Sequence, residues 1–128
     1  MSKNEVSNQV IEVNRICTGT EFHGTLKSTS DIRIDGFFEG KINTLGKLVI
    51  GEFAKLIGEA TCKSCDIWGE VDGKIVVKEV FGLRKSGKIK GKVSCQKIFI
   101  EEGGEFNGTC KMITEEEFDG IQGNPDQQ

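Results

Sequence analysis

The chain has 128 residues, 29% of them charged, with 17 Lys and Arg against 20 Asp and Glu. It carries 17 glycines, a single proline at Pro125 and no tyrosine. That length fits one domain. No apolar run reaches the ~18–20 residues of a membrane span, and Met1-Ser2-Lys3-Asn4 is followed by no signal-peptide apolar region, so a cytoplasmic protein is expected.

Residues 1–19 are polar. Val6, Val10 and Val13 stand at helical spacing, while Ile11 and Val13 alternate, which does not decide between helix and strand. A flexible N-terminal arm is expected there. From Thr20 onward the pattern is regular. A five-residue unit (apolar, polar, glycine, polar, apolar) occurs as Phe22-His23-Gly24-Thr25-Leu26, Phe38-Glu39-Gly40-Lys41-Ile42 and Val71-Asp72-Gly73-Lys74-Ile75. It returns as Ile89-Lys90-Gly91-Lys92-Val93, with looser copies at Leu56-Ile57-Gly58-Glu59-Ala60 and Phe106-Asn107-Gly108-Thr109-Cys110. The steps between glycines are 16, 18, 15, 18 and 17 residues.

Each copy is followed about eight to ten residues later by a second apolar pair: Ile32/Ile34, Leu48/Ile50, Cys65/Ile67, Phe81/Leu83 and Ile98/Ile100. Alternating runs of this length, bounded by Gly, Ser, Thr, Asp and Lys, predict short strands joined by tight turns. No stretch of residues 20–112 has enough helical periodicity for a βαβ crossover, and the repeat is too short for leucine-rich, ankyrin or propeller units. The expected fold is all-β: a single-stranded parallel β-helix, or solenoid, of about six coils. At ~4.8 Å per coil it is a rod roughly 30 Å long. One coil cannot offset the ordering of its own backbone, so the coils fold only as a stack. The domain is expected over residues 20–112, with residues 113–128 as a disordered acidic tail that has no Lys or Arg.

A solenoid has two open ends, each with unpaired strand edges, and normally needs polar caps to remain monomeric. No cap helix is evident after the last copy, where Phe106, Cys110 and Met112 lead into the acidic tail. At the other end, Phe22 and Leu26 have only the weakly patterned arm to cover them. These five residues are the expected self-assembly surfaces, and contacts between such ends propagate into a filament.

The stretch Asp31-Ile32-Arg33-Ile34-Asp35-Gly36, followed by Phe38-Glu39-Gly40-Lys41-Ile42, resembles the opening coils of the bactofilins, the polymer-forming cytoskeletal proteins of bacteria. Ile98-Phe99-Ile100-Glu101-Glu102-Gly103 with Phe106-Asn107-Gly108-Thr109-Cys110-Lys111-Met112 resembles their closing coils. The likeness covers residues 14–112. It implies a right-handed β-helix between disordered tails and filament assembly without nucleotide. It further implies scaffolding of cell-wall enzymes, other cell-shape proteins or chromosome-positioning proteins, often at the membrane. Terminal-coil apolar residues matter for polymerisation in the family, and by motif this role carries to Phe106 and its neighbours. Membrane-binding members begin with a short apolar or basic peptide, which residues 1–9 do not have.

Other residues have plainer readings. Cys62-Lys63-Ser64-Cys65 has CxxC spacing, yet Cys95 and Cys110 do not form the second pair of a four-thiolate metal site, so core cysteines are expected. His23, the only histidine, cannot build the multi-histidine sites of the left-handed β-helix enzymes. Lys41, Lys74 and Lys92 each follow a repeat glycine, and with Lys88 and Lys90 they are expected to form a basic stripe for an anionic lipid, an acidic partner or a neighbouring tail. The aromatic interleaving of a nucleic-acid platform is missing. Phe37, Phe53 and Trp68 are expected to point outward, where they offer lateral contacts. No phosphate loop or carboxylate pair stands out, so no catalytic, cofactor or metal site is expected. The competing reading is a non-polymerising adaptor capped by its own terminal segments.

Overall fold

The computed structural model describes residues 12–122. Twelve strands alternate between four and eight residues: β1 (Val13–Ile16), β2 (Glu21–Ser28), β3 (Asp31–Ile34), β4 (Phe37–Thr44), β5 (Lys47–Ile50) and β6 (Lys55–Cys62). They continue as β7 (Ser64–Ile67), β8 (Glu70–Val77), β9 (Val80–Leu83), β10 (Lys88–Cys95), β11 (Lys97–Ile100) and β12 (Glu105–Met112), followed by helix α1 (Glu115–Gln122). The short strands make one six-stranded sheet in the order β1-β3-β5-β7-β9-β11, and the long strands a second in the order β12-β10-β8-β6-β4-β2. Every pairing is parallel and joins a strand to its counterpart one coil away. This is the six-coil β-solenoid that the repeat predicts.

The register stacks like on like. Gly24, Gly40, Gly58, Gly73, Gly91 and Gly108 form one ladder through the long strands. All six have φ between +134° and +151°, a conformation that L side chains avoid. A Cβ on Gly40, Gly58, Gly73, Gly91 or Gly108 would collide with the carbonyl oxygen of the glycine one coil earlier. Inward columns of both sheets make the core. One is Phe22, Phe38, Leu56, Val71, Ile89 and Phe106; another is Ile16, Ile34, Ile50, Ile67, Leu83 and Ile100. In both columns the four middle members are 0–2% exposed. The one buried polar side chain among the described residues, Thr44, donates to Ser30 O at 2.5 Å and accepts from Gly46 N at 3.0 Å, which meets the requirement for burial.

The uneven glycine steps have a simple origin. Corners from a short strand to the next long strand have four residues at 17–20, 51–54, 84–87 and 101–104, but two at 35–36 and 68–69. Each four-residue corner is a β-turn, closed by Thr20 N to Cys17 O (3.0 Å), Ala54 N to Gly51 O (3.0 Å), Gly87 N to Arg84 O (2.8 Å) or Gly104 N to Glu101 O (2.9 Å). Corners from long to short strands have two residues, or one at Lys63 and Gln96. These choices alone give the steps of 16, 18, 15, 18 and 17, while strand lengths stay constant.

Two segments differ from the sequence expectation. Val13–Ile16, placed in the flexible arm, is β1 and pairs along its whole length with β3. Residues 1–11 of that arm lie outside the described residues. The segment expected to be a disordered tail turns back after β12 and forms α1. Thr114 N donates to Glu117 Oε1 (2.8 Å) and Glu117 N to Thr114 Oγ1 (3.1 Å), a reciprocal capping box. Ile113 and Phe118, only 5% and 7% exposed, cover Val76, an outward residue of β8. Residues 123–128 of the expected tail are outside the described residues.

Candidate functional site

The stacking register sends five inward side chains to each end of the solenoid. At the C-terminal end they are Ile98, Ile100, Phe106, Cys110 and Met112, which continue columns whose preceding members are Phe81, Leu83, Ile89, Val93 and Cys95. The preceding five are at most 1% exposed, whereas Ile100 and Met112 are 48% and 53% exposed. Phe106 and Ile98 are half-buried against the core and Cys110 is exposed. Among the described residues nothing covers this ring. Helix α1 lies on the flank instead, with Ile121 beside Lys41, Glu59 and Lys74 in a groove of about 430 Å³.

At the N-terminal end the ring is Asn14, Ile16, Phe22, Leu26 and Ser28. Phe22 and Leu26 are half-buried, with the Phe22 ring stacked on Phe38. Asn14 Nδ2 donates to Ser28 Oγ at 2.8 Å, a polar pair standing over Ile32 and Thr44 of the next coil. The N-terminal ring is therefore partly polar and the C-terminal ring apolar throughout. Both rings are bordered by edge strands, β1 and β2 at one end and β11 and β12 at the other.

Phe22, Leu26, Phe106, Cys110 and Met112 thus occupy ring positions, but the sequence reading did not assign Ile16, Ile98 and Ile100 to them. The signal was present: Asn14-Arg15-Ile16 repeats the phasing of Ile32-Arg33-Ile34, and Ile98/Ile100 is the last of the five apolar pairs. The expected lysine stripe is not continuous. Glu59 separates Lys41 from Lys74 in one outward column, and only Lys74 and Lys92 are neighbours there. Lys88 stands between Glu70 and Glu105, and Lys90 between Asp72 and Asn107. Charges of both signs interleave because the parallel register brings Glu59, Glu70, Asp72 and Glu105 beside these lysines.

The cysteines are free thiols. Cys62 and Cys65 are both buried; burial, with a hydrogen bond to Cys62, pushes the Cys65 thiol well above its ordinary value. Cys95 Sγ lies 4.0 Å from Cys110 Sγ, and burial, reinforced by Cys110, pushes Cys95 up to about 12. Both effects keep the thiols protonated and unsuited to nucleophilic work. Among the described residues no group of three or more His, Cys, Asp or Glu is placed to hold a metal. His23 is exposed on β2, 2.9 Å from Glu39 and 3.4 Å from Glu21, and hydrogen bonding to Glu39 and then Glu21 raises its pKa. No helix among the described residues is long and apolar enough to cross a membrane.

A column of parallel coils, with an apolar ring at its C-terminal end and a partly polar one at its N-terminal end, defines a β-solenoid. Residues 14–111 match the family model described as "Bactofilin: Polymer-forming cytoskeletal". The chain belongs to the bactofilin family. No curated protein and no solved structure matches it significantly.

Proposed function

We propose that this chain is a scaffold subunit that joins end to end through its two solenoid rings, without nucleotide, into filaments. The observation that carries this reading is the C-terminal ring, uncovered among the described residues, where Ile100, Phe106, Cys110 and Met112 continue core columns beyond their last described coil. Burying such side chains contributes ~1.5–3 kcal/mol each, and a second copy also pairs the edge strands. The family's cytoskeletal character supports a structural rather than catalytic role. Five free thiols fit a reducing compartment, the cytoplasm, with cell-envelope enzymes, cell-shape proteins or chromosome-organising proteins as clients. A capped, non-polymerising adaptor fits less well, because α1 packs on Val76 at the flank rather than over a ring.

Negative-stain microscopy of the purified chain without nucleotide tests the reading. Filaments are expected from the wild type, and Phe106→Arg is expected to abolish them while leaving strand content by circular dichroism unchanged. A monodisperse small species from the wild type, or filaments that persist in the variant, overturns it.

A further inference from the structure

The six corners that lead into the long strands are of two kinds, and their order along the rod has a consequence. The backbone hydrogen bonds Lys55 N to Gly36 O, Glu70 N to Ala54 O and Lys88 N to Gly69 O keep Gly36, Ala54, Gly69 and Gly87 in one column. The two additional residues of each four-residue corner must therefore loop outward. Bulges stand on coils one, three, five and six, while coils two and four are flush. With ~4.8 Å per coil, a flush coil between two bulged ones leaves a slot one coil high.

The slot over Trp68–Gly69 has a volume of about 500 Å³. Phe53 walls one side, Ser86 and Lys88 the other, and Gly69 is its floor. A Cβ on Gly69 would meet the carbonyl oxygens of Gly51 and Ala54, so nothing can project into the slot from Gly69, and the Trp68 side chain of the same corner lies beside Arg84 and does not line it. Phe53, at the tip of its bulge, is 83% exposed, more than any other large apolar residue described. The charges around it are balanced: Glu52 and Glu70 against Lys55 and Lys88.

We infer that this flank pairs with the same flank of a second copy, the Phe53 bulge of each filling the Trp68–Gly69 slot of the other. A two-fold axis perpendicular to the rod, passing between coils three and four, exchanges coil three with four and coil two with five. Bulge 51–54 then faces slot 68–69, and bulge 84–87 faces slot 35–36. Only corners 17–20 and 101–104 meet bulge to bulge, at the rims, where Gly19 and Gly103 carry no side chain. An isologous contact must be self-complementary. Here the order of bulges and slots supplies the shape, and the lining charges, with Lys55 Nζ already 3.9 Å from Glu70 Oε1 in the same chain, leave no net charge for the two copies to repel. The contact uses no ring residue and is independent of end-to-end assembly.

The test combines Phe106→Arg, to block the ends, with substitution at Phe53. In sedimentation equilibrium the end-blocked chain is expected to form a concentration-dependent dimer. Adding Phe53→Asp is expected to weaken it by at least about tenfold, with the circular dichroism spectrum unchanged, and Phe53→Leu to retain it. In wild-type assemblies Phe53→Asp is expected to convert paired filaments into single ones, a readout that holds even if Phe106→Arg leaves the ends active. An end-blocked chain that stays monomeric at the highest attainable concentration, together with unpaired wild-type filaments, overturns the inference. So does a dimer insensitive to Phe53→Asp. Phe53-dependent capture of a different protein by a chain that does not pair with itself also overturns it and assigns the slot to that partner.

Discussion

The ring of Phe22 lies flat on that of Phe38, with centroids 4.8 Å apart and planes 8° apart. The two residues are neighbours in one column, yet Phe38 is 0% exposed and Phe22 is half-buried, with one face covered among the described residues. Phe38→Ala is expected to cost ~3–5 kcal/mol, whereas Phe22→Ala should cost about 1 kcal/mol in an end-blocked monomer, since roughly half of its burial is missing. Urea unfolding of the two variants in the Phe53→Asp/Phe106→Arg background, which blocks both the flank and the ends, measures both. Equal costs would mean that the N-terminal ring is covered within the isolated chain. In assembly the ranking changes, because Phe22→Ala removes the face offered to another copy while the fold survives.

The glycine ladder permits a similar comparison between end and middle. Gly24 and Gly40 have almost the same φ, +141° and +140°, so an alanine at either carries the same backbone strain of ~1–2 kcal/mol. Their surroundings differ. A Cβ on Gly40 meets the Gly24 carbonyl oxygen, while on Gly24 its nearest neighbour is the Phe22 ring at 3.6 Å. Gly40→Ala should therefore cost a further ~1–3 kcal/mol, because it pushes two strands apart. The difference in urea midpoints between the monomeric variants checks this. Equal midpoints would remove the close backbone contact as the reason for glycine.

How much of this was readable without coordinates follows from where the physics is local. The glycine positions and apolar parity identified the solenoid, because period-two burial and positive-φ glycines leave direct marks in sequence. Register came with them, since identical units stack on themselves. The terminal helix was missed although Thr114-Glu115-Glu116-Glu117 has capping-box spacing, because three carboxylates in a row look like a solvated tail. Its docking site was equally visible: Ile75-Val76-Val77 breaks the alternation of β8, and Val76 is the outward apolar residue that α1 covers. β1 was missed because four residues taken alone do not separate strand from arm; only their match to Ile32-Arg33-Ile34 one coil on marks them. The lysine stripe was overread. Counting Lys along the chain ignores that Glu59, Glu70 and Glu105 come alongside only once coils stack.

Asp66 is the charged centre of the short-strand face. Lys47 Nζ lies 2.8 Å and Arg84 Nη2 2.9 Å from its carboxylate, and the Arg84 guanidinium also sits 4.7 Å from the Phe99 ring centroid and 5.4 Å from that of Trp68. Burial pushes the carboxyl up, but hydrogen bonds from Lys47 and Arg84 outweigh it and hold Asp66 below the usual carboxylate range. A folded-state value below the unfolded one adds stability that is complete above the unfolded value and is lost as pH falls through the folded one. Asp66→Asn should cost roughly 1–2 kcal/mol at neutral pH, and its gap to the wild type should close as pH drops below the ordinary carboxylate range. Urea unfolding across a pH series reads the gap. One that stays constant with pH would assign the cost to shape rather than charge. Asp35, held low chiefly by its hydrogen bond to Arg33, titrates in both proteins and cancels from the comparison.

The last prediction separates a flank helix from a cap. Phe118 and Ile113 cover Val76, and Lys78 Nζ lies 3.5 Å from Glu115 Oε2, so α1 is held on the side of the rod by one small apolar cluster and one exposed ion pair. So few buried contacts place it at the low end of local stability. Phe118→Glu should release the helix without unfolding the coils. Limited proteolysis after Ile113 should accelerate, while the urea midpoint of the solenoid stays within about 0.5 kcal/mol of the parent, as for a change outside the core. Filaments should persist, because the C-terminal ring is no more exposed than before. If the variant loses assembly, α1 belongs to the interface between copies. If it assembles where the parent does not, α1 acts as a cap, and the ring formed by Ile98, Ile100, Phe106, Cys110 and Met112 is controlled by the segment that follows it.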